Sequence, residues 1–184
     1  MRGLATVGLS PNAVTIVGAI VSVAGAVALL LYGPFAGFIV LALGAAADSL
    51  DGQLARLTGR VSIFGGFLDS TLDRISDAAP LVAAVLVAVD VDDRVLAVVA
   101  LAALLSGFLV PYTRAKAEAL GRDATVGLAP REARTILVIV GVAAWWLSGQ
   151  LLAFTGAITI TAFLASITVV QRIAHVSRQG DRSN

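Results

Sequence analysis

Two pairs of aspartates, Asp48 with Asp51 and Asp69 with Asp73, stand in apolar stretches on either side of a short polar hairpin, Leu57 to Ser62. An uncompensated carboxylate in hydrocarbon is costly enough that such residues mark a functional site with a partner. Four carboxylates beside one or two arginines remain net negative, which is unstable without added cations. A pair of divalent metal ions is the natural partner, and a pathway for a translocated cation is the competing chemistry. A purely structural ion network would leave the charge unbalanced.

Helical rise decides whether the two pairs can meet. At about 1.5 Å per residue, Asp51 lies about 9 Å from Leu57, and Asp69 lies about 9 Å from Ile63 on the returning helix. Asp48 and Asp73 lie deeper, at about 13 and 15 Å. Spacings of three and four residues put each pair on one helix face. An antiparallel hairpin therefore matches the four side chains in depth, and two ions about 3.5–4 Å apart fit between such faces. Gly52, Ala55 and Gly65 each lie one turn from an aspartate and leave room for a bulky ligand. The small residues Gly44 to Ala47 permit close helix approach. Arg56 shares the cleft with no acidic neighbour one turn away, and a phosphate-bearing ligand would explain it.

Composition supplies the elements that hold these groups. The 184 residues are 58% hydrophobic and 14% charged, with mean hydropathy +0.93. Soluble domains carry roughly 25% charged residues. A spanning helix takes about 20 apolar residues, which leaves room for about six spans and little else. They read as Asn12–Tyr32, Phe35–Leu57, Ile63–Val89, Arg94–Leu120, Arg131–Leu147, and a sixth from the Ser148-Gly149-Gln150 turn to near His175. The first is read as a retained span rather than a signal peptide. The expected fold is an all-α integral membrane bundle of six transmembrane helices. It forms a single catalytic domain over residues 1–176, with a polar tail over 177–184. The absence of cysteine excludes disulfides and thiolate ligands, and the lone His175 excludes a multi-histidine metal site.

Of the 13 Lys and Arg residues, all but Arg94 fall at the termini, in loops 57–62 and 121–130, or in the half-spans beneath them. The positive-inside bias puts that side, with both termini, in the cytoplasm. Asp90, Asp92 and Asp93 mark the other face, and Trp145 and Trp146 read as an interfacial aromatic belt. No nucleic-acid partner is expected.

The run Asp48-Ser-Leu-Asp51-Gly52-Gln-Leu-Ala55-Arg56, eight residues, Gly65, three residues, Asp69, three residues, Asp73 fills every fixed position of D-x-x-D-G-x-x-A-R-x8-G-x3-D-x3-D. This resembles the CDP-alcohol phosphatidyltransferase family. The resemblance implies that Asp48, Asp51 and Asp69 bind two divalent ions that clamp the diphosphate of a CDP-linked lipid. Asp73 takes the position that touches metal and serves as general base on the acceptor hydroxyl. Oxygen-only ligation selects Mg²⁺ or Mn²⁺. Gly52, Ala55 and Arg56 match the nucleotide-binding part of the motif. Asn12 and Thr15 resemble family positions near the cytidine; helix capping and a backbone-bonded threonine are their ordinary alternatives. Asp77 reads as an ion-pair partner of Arg74 rather than a fifth ligand. The resemblance also implies a homodimer among membrane lipids, and an amphipathic helix ahead of span one, where roughly ten residues precede Asn12.

The cytoplasmic ends of the last three spans are basic. Arg114 and Lys116 lie in Tyr112-Thr-Arg-Ala-Lys-Ala-Glu118, Arg131 and Arg134 in Pro130-Arg-Glu-Ala-Arg134, and Arg172 in Val170-Gln-Arg172. Such a cluster suits a phosphorylated polyol acceptor; headgroup contact is the alternative. These stretches, with Asp73-Arg-Ile-Ser-Asp77, are similar to the inositol-phosphate branch of the family, the phosphatidylinositol-phosphate and archaetidylinositol-phosphate synthases. The activity implied is transfer of a phosphatidyl-type group to inositol phosphate with release of CMP. Glycerol-3-phosphate is the nearest rival acceptor, and cation or proton transport is the remote alternative.

Overall fold

The computed structural model describes the backbone of residues 11–58 and 62–180, and the side chains of these stretches apart from 11 and 48–58. Among the described residues six α-helices follow one another with no strand. They are α1 (Pro11–Tyr32), α2 (Pro34–Thr58), α3 (Ile63–Asp90), α4 (Arg94–Ala119), α5 (Arg131–Ser148) and α6 (Leu151–Ser177). Each coincides with one expected span, with ends differing by one or two residues.

The breaks have local causes. Gly33 adopts φ 83°, a left-handed conformation that glycine enters at no steric cost. Pro34 follows as the first residue of α2, where its missing N–H is no loss. Ser62 caps α3, its Oγ accepting the Gly65 N–H at 2.9 Å. Asp93 caps α4 in the same way, its carboxylate accepting the Leu96 N–H at 3.0 Å. One of the acidic residues of the loop between α3 and α4 is therefore a helix-starting device.

The chain divides into two compact units, Met1–Ala83 and Ala84–Asn184, and the boundary falls inside α3 shortly after Pro80. In the first unit α1 packs on α2. Gly44 meets Ser22, Gly25 meets Leu41 and Gly37 meets Leu29, so the two helices run antiparallel in one fixed register. A methyl on Gly25 would sit 2.8 Å from the Leu41 backbone nitrogen, and one on Gly37 would sit 2.7 Å from the Leu29 Cβ. Glycine is what permits this approach, the usual route to helix contact where lipid supplies no hydrophobic drive.

In the second unit α6 packs against both α4 and α5. Small residues again line the contacts: Ala100, Ala103 and Ala165 are fully buried, together with Val142, Phe154 and Ile158. Trp145 stacks on Phe154 with ring centroids 5.8 Å apart, while Trp146 is exposed. Large side chains such as Ile20, Leu31, Leu101, Leu105 and Phe163 point outward. A soluble protein would bury that much apolar surface, whereas a bilayer solvates it.

Asn12–Tyr32, α4 and α6 are long and apolar enough to cross a membrane. In α2 the stretch Pro34–Ala47 is apolar, and in the sequence the motif charges begin directly after it. The motif aspartates of α3, and Arg131, Glu132 and Arg134 of α5, interrupt the other two helices in the same way.

Candidate active site

The aspartates of the motif lie in the first unit. Asp69 and Asp73 lie one turn apart on α3; Asp69 is exposed, and the Asp73 side chain is 15% exposed. Arg74 Nη2 lies 3.7 Å from Asp73 Oδ2. That is longer than a hydrogen bond, and among the described residues Nε and Nη1 of Arg74 are buried without a hydrogen-bond partner. The hydroxyls of Ser70 and Thr71 donate back to the Gly66 and Phe67 carbonyls, both at 2.9 Å.

Asn12 stands beside the start of α3. A Cβ on Gly65 would lie 3.0 Å from the Asn12 Oδ1 and 2.9 Å from the Ser62 Oγ. The missing side chain at Gly65 is therefore what admits the Asn12 carboxamide, and the structure joins two residues that the sequence connects only through the family pattern. Thr15 is half-buried one turn further along α1. The α1–α2 register, continued, brings it level with the turn of α2 that carries Asp51.

Asp48, Asp51, Gly52, Ala55 and Arg56 lie on the helical backbone of α2, and their side chains are outside the described residues. Among the described residues there is no group of three or more potential metal ligands. The two described carboxylates fit a hard divalent cation: oxygen donors on one helix face, one turn apart.

The second unit carries the basic side. Arg172 reaches the Val110 carbonyl, one turn of α4 before Arg114, and the Val126 carbonyl, three residues before the Ala129 to which Arg134 donates. Glu118 is engaged by Arg114, whose Nε donates to it at 2.8 Å. Arg172 donates through Nε to the Val126 carbonyl at 2.9 Å and through Nη1 to the Val110 carbonyl. Arg134 is buried and donates through Nη1 to the Ala129 carbonyl at 2.8 Å. A carbonyl orients a guanidinium without cancelling its charge, as the Ala129 carbonyl does at Arg134 and the Val126 carbonyl at Arg172. Arg131 is half-buried at the start of α5. Lys116 is exposed on α4, about 200° around the helix from Arg114.

Loop 120–130 is laced along one stripe of α6. Thr168 Oγ1 accepts the Ala129 N–H at 3.1 Å, and Arg172 reaches Val126. His175 Nε2 lies 3.3 Å from the Asp123 carboxylate. The Gln179 amide both accepts from the Asp123 N–H, at 3.1 Å, and donates to its carbonyl, at 2.5 Å. Arg122 closes the end by donating to the Gln179 carbonyl at 3.2 Å. The Thr125 hydroxyl, its backbone N–H and His175 hold the Asp123 carboxyl below the usual carboxylate range, against a smaller opposing effect of desolvation. Sequence reasoning passed over Thr168 and Gln179. The signal for them was a row of polar residues at helical spacing, 168, 172, 175 and 179, on an otherwise apolar helix.

With this geometry in view, the chain belongs to the CDP-alcohol phosphatidyltransferase family, which it matches over residues 8–171. It is 34% identical to the archaetidylinositol phosphate synthase of Pyrococcus horikoshii, over 97% of this chain and 89% of that one. It is 36% identical to the phosphatidylinositol phosphate synthase of Streptomyces avermitilis, over 94% of this chain and 74% of that one. The crystal structure of the Mycobacterium tuberculosis phosphatidylinositol phosphate synthase with CDP-DAG bound superposes with a TM-score of 0.86 at 36% identity, covering 95% of this chain and 90% of that one. The structure of that enzyme in complex with manganese and citrate superposes with a TM-score of 0.88 at 34% identity, covering 100% and 95%. The six-helix membrane fold expected from the sequence is thus the fold of the family, and the chain is an integral membrane enzyme.

Proposed function

We propose that the enzyme transfers a phosphatidyl-type group from a CDP-linked lipid to a hydroxyl of inositol phosphate and releases CMP. The observation that carries the acceptor is the cluster of Arg114, Arg134 and Arg172, in which Glu118 holds Arg114 and backbone carbonyls hold Arg134 and Arg172. Arginine forks aimed in this way suit a phosphate. The similarity to inositol-phosphate synthases supports the same choice.

In this reading Asp48, Asp51, Asp69 and Asp73 hold two divalent ions, Mg²⁺ or Mn²⁺, and Asn12, Thr15, Gly52, Ala55 and Arg56 seat the nucleotide. When bound, the ions neutralise the diphosphate and the departing CMP. Asp73 takes the proton of the acceptor hydroxyl as that oxygen bonds to the β-phosphorus. The bond from this phosphorus to the bridging oxygen breaks, and CMP departs with the electron pair. Arg114, Arg134 and Arg172 hold the acceptor phosphate.

The test is CMP release from CDP-diacylglycerol in detergent, with inositol phosphate, glycerol-3-phosphate, inositol and serine offered separately. Inositol phosphate is expected to support turnover, EDTA to abolish it, and Mn²⁺ or Mg²⁺ to restore it. Release with glycerol-3-phosphate alone would replace the acceptor, and turnover indifferent to chelation would remove the metal centre.

Residues 1–176 act as one catalytic domain in this reading, in a homodimer to be checked by crosslinking. The basic ends and both termini face the cytoplasm. Because the chain has no cysteine, single cysteines report sidedness. An impermeant maleimide is expected to label Val91→Cys on intact cells and Arg178→Cys only after permeabilisation. The reverse pattern would invert the topology.

A further inference from the structure

Arg134 sits 7% exposed at the base of the acceptor cluster, and its direction is set by the carbonyl it donates to. That carbonyl belongs to Ala129, which is itself 2% exposed. On one side Ala129 is followed by Pro130, whose ring holds φ at −59° and offers no N–H. On the other side the Ala129 N–H donates to Thr168 Oγ1 at 3.1 Å. Thr168 is 1% exposed, and its hydroxyl proton is committed to the Leu164 carbonyl at 2.9 Å. The oxygen therefore presents lone pairs to Ala129, and rotation of the hydroxyl cannot turn it into a donor there. The Thr168 methyl fills the place where a side chain on Gly127 would stand, and Gly127 has φ 149°. Both branches of Thr168 are thus used to set the loop that aims Arg134.

We infer that Thr168 is a positioning residue for the acceptor: it fixes Ala129, whose carbonyl orients the Arg134 guanidinium onto the acceptor phosphate. This rests on the acceptor reading above. Thr168 lies 34 residues from Arg134 along the chain, with no expected ligand contact of its own. Thr168→Val keeps the shape but leaves a buried N–H without a partner.

The experiment measures KM for acceptor and for CDP-diacylglycerol in wild type, Thr168→Val, Thr168→Ser, Arg134→Ala and the Thr168→Val/Arg134→Ala double variant, using whichever phosphorylated alcohol supports turnover. Thr168→Val is expected to raise the acceptor KM about tenfold with the donor KM within about twofold. Thr168→Ser, which keeps the oxygen but loses the methyl against Gly127, should raise the acceptor KM less than Thr168→Val does. The double variant should be no worse than Arg134→Ala alone, because the first residue acts through the second. If the two losses multiply, or donor and acceptor KM rise together, Thr168 merely supports the fold and the inference is overturned. If Thr168→Val does not fold, Thr168→Ala against Thr168→Ser reads the same difference, and equal values overturn it. An unchanged acceptor KM in Arg134→Ala removes the acceptor reading and this inference with it. A raised KM there with none in Thr168→Val removes the inference alone.

Discussion

Asp73→Asn is expected to abolish turnover while leaving CDP-lipid binding measurable. The carboxylate is 15% exposed on α3 with Arg74 Nη2 3.7 Å away, so an amide of the same shape disturbs the packing little. What it removes is the ability to take a proton and the charge that holds a cation. Positioned general bases contribute about 10²–10⁴-fold, and weakened metal binding adds to that loss. CMP release should fall by at least this factor, while equilibrium binding of labelled CDP-diacylglycerol persists through Asp48, Asp51 and Asp69. Retained turnover would overturn the role as base. Loss of donor binding together with turnover would make Asp73 chiefly a metal ligand. Asp73→Ala is the less informative change, because it opens space and leaves Arg74 without the carboxylate beside it.

Arg134→Ala is expected to raise the acceptor KM by about 10–100-fold, the value of one charge-assisted hydrogen bond of roughly 1.5–3 kcal/mol. The donor KM should hardly move. Arg134→Lys keeps the charge but loses the planar fork that one carbonyl can orient, so it should fall between alanine and wild type. Thermal unfolding in detergent is the control, because Arg134 is buried. Equal increases in both KM values would give Arg134 a structural role. The expectation is sharpened by Arg172, whose donors go to Val110 and Val126 carbonyls. When Arg134 is removed, part of the phosphate grip survives there.

Much of this was legible in the one-dimensional pattern because helices make it so. Rise and turn convert spacing directly into depth and face. Asp69 and Asp73 had to share a face of α3, and the helix ends could be placed to within one or two residues from Gly33-Pro34, Ser62 and Gly149. The glycines and alanines of Gly44 to Ala47 announced close helix approach, but not their partner. Gly44 meets Ser22 on α1, a pairing that depends on which helices neighbour each other.

The basic cluster shows the opposite case. Five cations look equivalent in the sequence, yet Arg114 and Lys116 diverge around α4, and Arg134 is buried while Arg114 is exposed. Three of the five are brought together by hydrogen bonds that join residues 39, 46 and 62 positions apart. No local periodicity encodes such pairings, because they depend on where a loop lands against a helix.

The amino-acid order alone therefore determined the membrane class, the helices and the family, since each rests on neighbours within a turn or two. The packed chain decided which arginines converge, that backbone carbonyls hold Arg134 and Arg172, and that Thr168 stands behind Arg134. The physical reason is that long-range contacts are settled by the closing of loops and the fit of helix faces, which short-range spacing does not specify.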